Sequence, residues 1–249
     1  VKGFIYKNYC LGGTKDKEES RQYFSDENGM RCDAIRQKIE KWKEQNLISD
    51  DEYYFLITSL VESIDKYANT ASVYGAFLKK LKKTAQNNLI LKPAELIIND
   101  QDHEVFNEDI NKVAGKIAGD ILYLDPPYNQ RQYATNYHML ETIAKYDNPK
   151  IHGKTGLREY QNQKSLYCSR TQVKKAFKDL ILKAKAKYIF LSYNNEGLMT
   201  LGDIQEIMSL RGKYGNFTKE YNRFKADKSE NRNFTTNKTV EYLHYVVCN

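Results

Sequence analysis

An apolar run, "ILYL" (121–124), stops at Asp125, and Pro126, Pro127 and Tyr128 follow at once. Each proline fixes φ near about −65° and lacks an N–H, and a residue before a proline is held extended. The four residues therefore offer a carboxylate and a carbonyl with two backbone donors deleted, and a flat ring beside them. An acceptor-only corner of this kind suits a planar amine. The exocyclic NH₂ of a nucleobase is a poor nucleophile because its lone pair is delocalised into the ring. Hydrogen bonds from both N–H groups to the Asp125 carboxylate and the Pro126 carbonyl favour a pyramidal nitrogen whose lone pair points outward. Taking a base out of a duplex costs a few kcal/mol, and stacking on Tyr128 returns ~1–3 kcal/mol. The competing interpretation is a surface turn, since Asp-Pro and Pro-Pro are turn dipeptides. Its place just after a buried strand favours the chemical one.

A corner like this needs a strand that ends at it. "ILYLD" reads as a continuous apolar strand of the kind buried on both faces of a parallel sheet. In open α/β sheets, ligands lie outside the carboxyl ends of such strands. Downstream, "NYHMLETIAKYD" and "TQVKKAFKDLILKAKA" read as helices, and "KYIFLSYNN" as a second buried strand. Strand alternating with helix predicts an α/β sheet. "GNFTKEYNRFKA" and "TVEYLHYVVC" read as two further strands joined by a long basic loop. Upstream, "CDAIRQKIEKWKEQ" has Ile35, Ile39 and Trp42 at helical spacing. A second helix is capped by Ser49 or Asp50, and "ASVYGAFLKKLKKTAQ" is a third. "NLILK", "ELIIN" and "HEVFN" are short β-type runs, and "EDINKVAGKIAGD" is a short helix.

The 249 residues suffice for one domain, or for one with a sizeable insertion. No apolar run approaches ~18 residues, so no membrane-spanning helix is expected. The four cysteines are scattered without a CxxC pair, which argues against zinc and against a disulfide framework, and a cytoplasmic location is expected. A formal charge of +7 permits a polyanionic partner, and 20 tyrosines include rings that could stack on unpaired bases, although core edges account for most of them. The stretch 223–238, with Arg223, Lys225, Lys228, Arg232 and Lys238 around Phe224 and Phe234, is the better candidate for DNA contact. For Lys79, Lys80, Lys82 and Lys83 a solvated helix face is the plainer explanation.

Together the motif and its flanks resemble the DNA adenine-N6 methyltransferases of the Dam-like, α-ordered group, whose catalytic motif is "DPPY". The resemblance runs through "YFSDENGMRCDAIRQKIEKW", "SVYGAFLK", "YLDPPYNQRQYATNYHMLETIAKYD", "IFLSYNNEGL" and "TVEYLHYVV" and so covers nearly the whole chain. It implies a Rossmann-like sheet, S-adenosylmethionine as methyl donor, and an adenine flipped out of double-stranded DNA. Carried over, Asp125, Pro126, Pro127 and Tyr128 are the amine clamp and stacking ring. Asp109 matches an acid near the cofactor's adenine, with a helix cap as the alternative. Tyr193 and Asn194 line the pocket or are ordinary strand-end polar residues. Tyr133, Asn136, Tyr137 and His138 are candidates for touching the target strand, and a core histidine is the competing role for His138. The resemblance places the catalytic domain in 1–19 and 86–249, with 20–85 as an inserted helical region for target recognition.

One departure is serious. The family's donor site needs a strand–FxGxG–helix element and a following acid, and no GxG occurs among the 13 glycines. The chain also begins at Val1 in mid-pattern, so its N-terminal portion is expected to be absent, through truncation or as a separately encoded segment. The chain alone is then expected to bind S-adenosylmethionine weakly or not at all, and to be inactive. Open alternatives are another acceptor (cytosine-N4, an RNA base or a protein glutamine) and a non-catalytic DNA-binding subunit or remnant. A cognate endonuclease is a possible partner.

Overall fold

The computed structural model describes residues 1–71, 73–222 and 238–249. In chain order come α1 (Phe4–Tyr9), α2 (Leu11–Thr14), α3 (Asp26–Glu44), α4 (Asp50–Tyr67), α5 (Lys83–Gln86) and α6 (Ile110–Val113). β1 (Ala118–Leu124), α7 (Tyr133–Asn136), α8 (His138–Lys145), β2 (Ile151–His152) and β3 (Leu157–Arg158) follow. The chain ends with α9 (Val173–Lys183), β4 (Lys185–Asn194), α10 (Leu201–Ser209), β5 (Gly212–Asn222) and β6 (Lys238–Cys248). The α/β class expected from the sequence is what the structure shows. Among the described residues, no helix is long and apolar enough to cross a membrane.

Residues 1–100 and 133–162 make one compact unit, and 101–132 with 163–249 make another. The first is mainly helical. Ser25 caps α3 by accepting from the Asn28 N–H, and Ser49 forms a reciprocal capping box with Glu52 at the start of α4. Buried Asp33 on α3 accepts from the Ile5 and Tyr6 N–H groups, each at 2.9 Å, and from the Tyr146 hydroxyl at 2.6 Å. Buried Arg36 donates to the Ile143 and Ala144 carbonyls and pairs with Glu40 at 2.6 Å. These groups tie the N-terminal helices and α8 to α3, so residues 1–19 pack with the helices of 20–85 within this unit.

The third helix and the short β-type runs depart from the sequence expectation. The third helix shrinks to Lys83–Gln86 because Asn69, fully buried, organises the preceding chain. Its side chain donates to the Gln22 and Leu78 carbonyls and accepts from the Lys82 N–H at 3.0 Å. The Tyr74 N–H goes to the Asn136 carbonyl instead of to a helical turn. "NLILK" is not a strand either. Side chains on neighbouring helices satisfy its backbone, the Leu89 N–H donating to Asn28 and the Lys92 N–H to Ser63, and just beyond it the Ala94 N–H donates to Ser59. "ELIIN" and "HEVFN" also carry no strand in the structure.

The second unit holds a four-stranded sheet in the order β1-β4-β6-β5. β1 and β4 are parallel, in register Ile121 with Tyr188 and Leu124 with Leu191, and the remaining pairs are antiparallel. Phe177, Leu180 and Ile181 of α9 and Ile204, Ile207 and Met208 of α10 pack with Leu124, Ile189, Leu191 and Val246. That closes one face of the sheet. Burial of "ILYLD" on both faces does not hold: side chains alternate along a strand, and Ile121 and Tyr123, on the side away from α9, are exposed.

Candidate functional site

β1 delivers Asp125 directly beyond its last residue, Leu124, which is anchored in the core. Asp125 is exposed and enters no hydrogen bond or ion pair among the described residues. The chain just after it is held firmly. The Tyr128 carbonyl accepts from the Leu198 N–H at 3.0 Å. Gln132 binds the Ser165 backbone twice, accepting from its N–H at 2.8 Å and donating to its carbonyl at 3.3 Å. Cys168 Sγ lies 3.3 Å from the Arg131 carbonyl, and Asn129 accepts from the Arg131 N–H at 2.9 Å. An exposed acid on a loop this constrained gains no stability from a partner among the described residues.

The end of β4 supports the same loop. Tyr193 is buried, and its ring meets the Tyr128 ring edge to face, with centroids 6.2 Å apart and planes at 82°. Its hydroxyl oxygen accepts from the Leu198 N–H at 3.1 Å and from the Met199 N–H at 3.4 Å. Burial raises the phenol's pKa, and the Met199 and Leu198 N–H groups oppose that rise. Asn194, also buried, accepts from the Glu196 N–H at 3.1 Å and pins the turn. Gly197 closes it: a Cβ there would stand 2.1 Å from Cε1 of Tyr193. Sequence reasoning singled out Tyr193 and Asn194 in "SYNNEGL" but missed Gly197, Gln132 and Ser165. Only a glycine next to a predicted aromatic strand end hinted at the first of these.

The other residues singled out from the sequence lie on other elements. Asp109 caps the four-residue α6, accepting from the Asn111 N–H at 2.9 Å. Asn111 joins that helix to α9 by donating to the Ala176 carbonyl and to Asp179, each at 2.8 Å. Tyr133 opens α7 in the first unit, half exposed, with its ring on Tyr137. His138 is a core histidine, with Nε2 3.0 Å from the Tyr74 carbonyl. Gly12 and Gly13 lie in α2, where a Cβ on Gly13 would come within 2.1 Å of the Tyr6 carbonyl. Arg223, Lys225 and Arg232 lie outside the described residues, as does the rest of the expected basic loop up to residue 237.

Residues 2–207 match the family model of the D12 class N6 adenine-specific DNA methyltransferases. The chain belongs to that family. It is similar to the type II methyltransferase M.NlaIII of Neisseria lactamica, 55% identical over 242 residues, which cover 97% of this chain and 71% of that protein. It also resembles M.FokI of Planomicrobium okeanokoites, at 40% identity over 91% of this chain and 35% of that one. M.CviAII of Paramecium bursaria Chlorella virus 1 is 38% identical over 99% of this chain and 70% of its own length. The chain thus spans only part of each relative. No solved structure matches. Membership makes the chain part of an adenine-specific DNA methyltransferase and implies S-adenosylmethionine as the methyl donor.

Proposed function

We propose that Asp125 and the Pro126 carbonyl hold the exocyclic amine of an adenine flipped out of duplex DNA while Tyr128 stacks on its ring. The observation that carries this is the exposed Asp125 carboxylate, unpaired among the described residues, at the tip of a parallel strand on a loop that the Tyr128 carbonyl, Arg131 and Gln132 tie down. Both amine hydrogens point at acceptors, so the nitrogen lone pair is free to attack. The carboxylate also lies against the hydrogen that the nitrogen must shed once alkylated. Tyr193, Asn194 and Gly197 position Tyr128 rather than touching the base. When bound, S-adenosylmethionine supplies an electrophilic methyl group on sulfur.

The described residues do not by themselves fit that donor. Asp109 serves as a cap, the Gly12–Gly13 pair is a packing feature of a helix, and no GxG occurs in the sequence. The donor's cradle therefore comes from outside these 249 residues. In this scheme the helical stretch 20–85 reads the DNA site, the basic residues Arg223, Lys225 and Arg232 contact phosphates, and a cognate endonuclease accompanies the methylase.

Two measurements test the proposal. Calorimetric titration of the chain alone should show no micromolar binding of S-adenosylmethionine, and micromolar binding would overturn the external cradle. With a complementing donor-binding segment present, labelled methyl should pass to adenine oligonucleotides and not to cytosine ones. Transfer that survives Asp125→Ala would refute the clamp.

A further inference from the structure

In the first unit, four cationic residues meet around Asn8 without an acid to answer them. The buried Arg21 donates to three carbonyls, those of Asn8 at 3.3 Å, Gly153 at 2.8 Å and Lys154 at 3.0 Å. Carbonyls satisfy its N–H groups and leave its charge in place. Lys17 Nζ lies on the same residue, donating to the Asn8 side-chain oxygen at 3.1 Å and to the Lys7 carbonyl at 2.7 Å. Lys7, Lys17 and Lys154 are exposed. Asp16 and Glu18 flank Lys17 in the sequence, yet none of the four cations enters an ion pair among the described residues. Arg158, on β3 of the same hairpin, shows the contrast, because Asp147 neutralises it through two contacts at 3.1 and 2.6 Å. Burial first, and then the charges of Arg21 and Lys7, lower the Lys17 pKa, and no carboxylate opposes them. Holding like charges together costs free energy that an incoming anion offsets.

The turn that Arg21 holds is open to approach. Gly153 and Gly156 have φ of 63° and 68°, in the left-handed region, and the Gly156 N–H closes the turn on the Gly153 carbonyl at 3.1 Å. A Cβ on Gly153 would meet nothing within 4 Å, so packing does not cover that position. We propose that Lys7, Lys17 and Lys154 form a contact surface for the sugar–phosphate backbone of duplex DNA, with Arg21 fixing the turn that carries Lys154. Separate ammonium groups match a row of phosphates, which the substrate of an adenine-specific DNA methyltransferase presents. Such contacts set affinity and register and carry no base preference. The three lysines lie outside both the stretch 20–85 and the basic residues Arg223, Lys225 and Arg232. The inference uses the family's DNA substrate and does not depend on the amine clamp at Asp125.

The test measures binding of the 249-residue chain to a mixed-sequence DNA duplex by fluorescence anisotropy, between about 0.05 and 0.2 M salt. Lys7→Gln, Lys17→Gln and Lys154→Gln should each lower the slope of log affinity against log salt by about one unit. At about 0.1 M salt each should weaken binding roughly eightfold. Lys187→Gln, which removes an exposed lysine paired with Asp120 in the second unit, should change neither quantity. Urea unfolding followed by Trp42 checks that each variant is folded, since that ring belongs to the first unit. Lys7→Gln and Lys154→Gln alter exposed side chains and keep the test decisive if Lys17→Gln unfolds. An unchanged slope in every folded variant, a loss no larger than that of Lys187→Gln, or no binding by the parent at the lowest salt would overturn the proposal. The clamp is read by methyl transfer in Asp125→Ala, a different variant and a different assay. Failure of the lysine surface therefore leaves the clamp standing, and failure of the clamp leaves the surface standing.

Discussion

Tyr193→Phe isolates the device that holds Tyr128. The substitution keeps the buried ring and its edge-to-face contact and removes only the hydroxyl oxygen, so no cavity opens. Two backbone N–H groups donate to that oxygen, and they are affected unequally. Leu198 retains the Tyr128 carbonyl as a second acceptor at 3.0 Å. The Met199 N–H, in a buried residue, has only the hydroxyl, at 3.4 Å. The cost is therefore one weak hydrogen bond plus one unsatisfied buried donor, about 1–3 kcal/mol. Fluorescence is the wrong assay, because the single tryptophan is Trp42, on α3 of the first unit. Native-state amide exchange reads the second unit directly. Each 1.4 kcal/mol is about tenfold, so amides of β4 and the 195–199 turn should exchange roughly five- to hundredfold faster than in the parent, while α3 and α4 are unchanged. Exchange within twofold of the parent throughout β4 would refute the assignment of Tyr193 as the support of the loop.

Asp125→Ala should leave stability within about 0.5 kcal/mol, as for other exposed positions without partners, yet reduce methyl transfer by the complemented enzyme ~10²–10³-fold. A denaturant midpoint that falls clearly in the same variant would make the acid structural. Gly197→Ala should destabilise the second unit by about 1–3 kcal/mol through overpacking against the Tyr193 ring, again read by amide exchange. Burial lowers the His138 pKa to about 4, opposed by the Tyr74 carbonyl and reinforced by Arg158 and Arg21. The unfolded chain therefore takes up this proton first as pH falls below about 6.5, and stability is lost on acidification. The contribution is about 2 kcal/mol between pH 7 and pH 5. Urea unfolding followed by Trp42 should show that loss in the parent, and in His138→Gln the pH dependence should shrink by about that amount.

How much of this was legible without coordinates depended on whether the cause was local. The start of α4 was readable because Ser49 and Glu52 cap within one turn, and the corner after β1 was readable because two prolines dictate their own backbone. The third helix was not, because its backbone groups are claimed by Asn69 and Asn136 from across the unit. "NLILK" has strand-forming side chains, but Asn28 and Ser63 reach its N–H groups first.

By itself the sequence determined the Asp-Pro-Pro-Tyr corner, the α/β alternation, the family and the lack of a GxG turn, since each is written in consecutive residues and their spacing. Tertiary structure alone decided that Asp125 is unpaired among the described residues, that Tyr193 is buried with its hydroxyl accepting from Leu198 and Met199, and that Ile121 and Tyr123 are exposed. Those facts depend on which groups from distant parts of the chain arrive to satisfy or cover a residue, and periodicity along the chain carries no record of that.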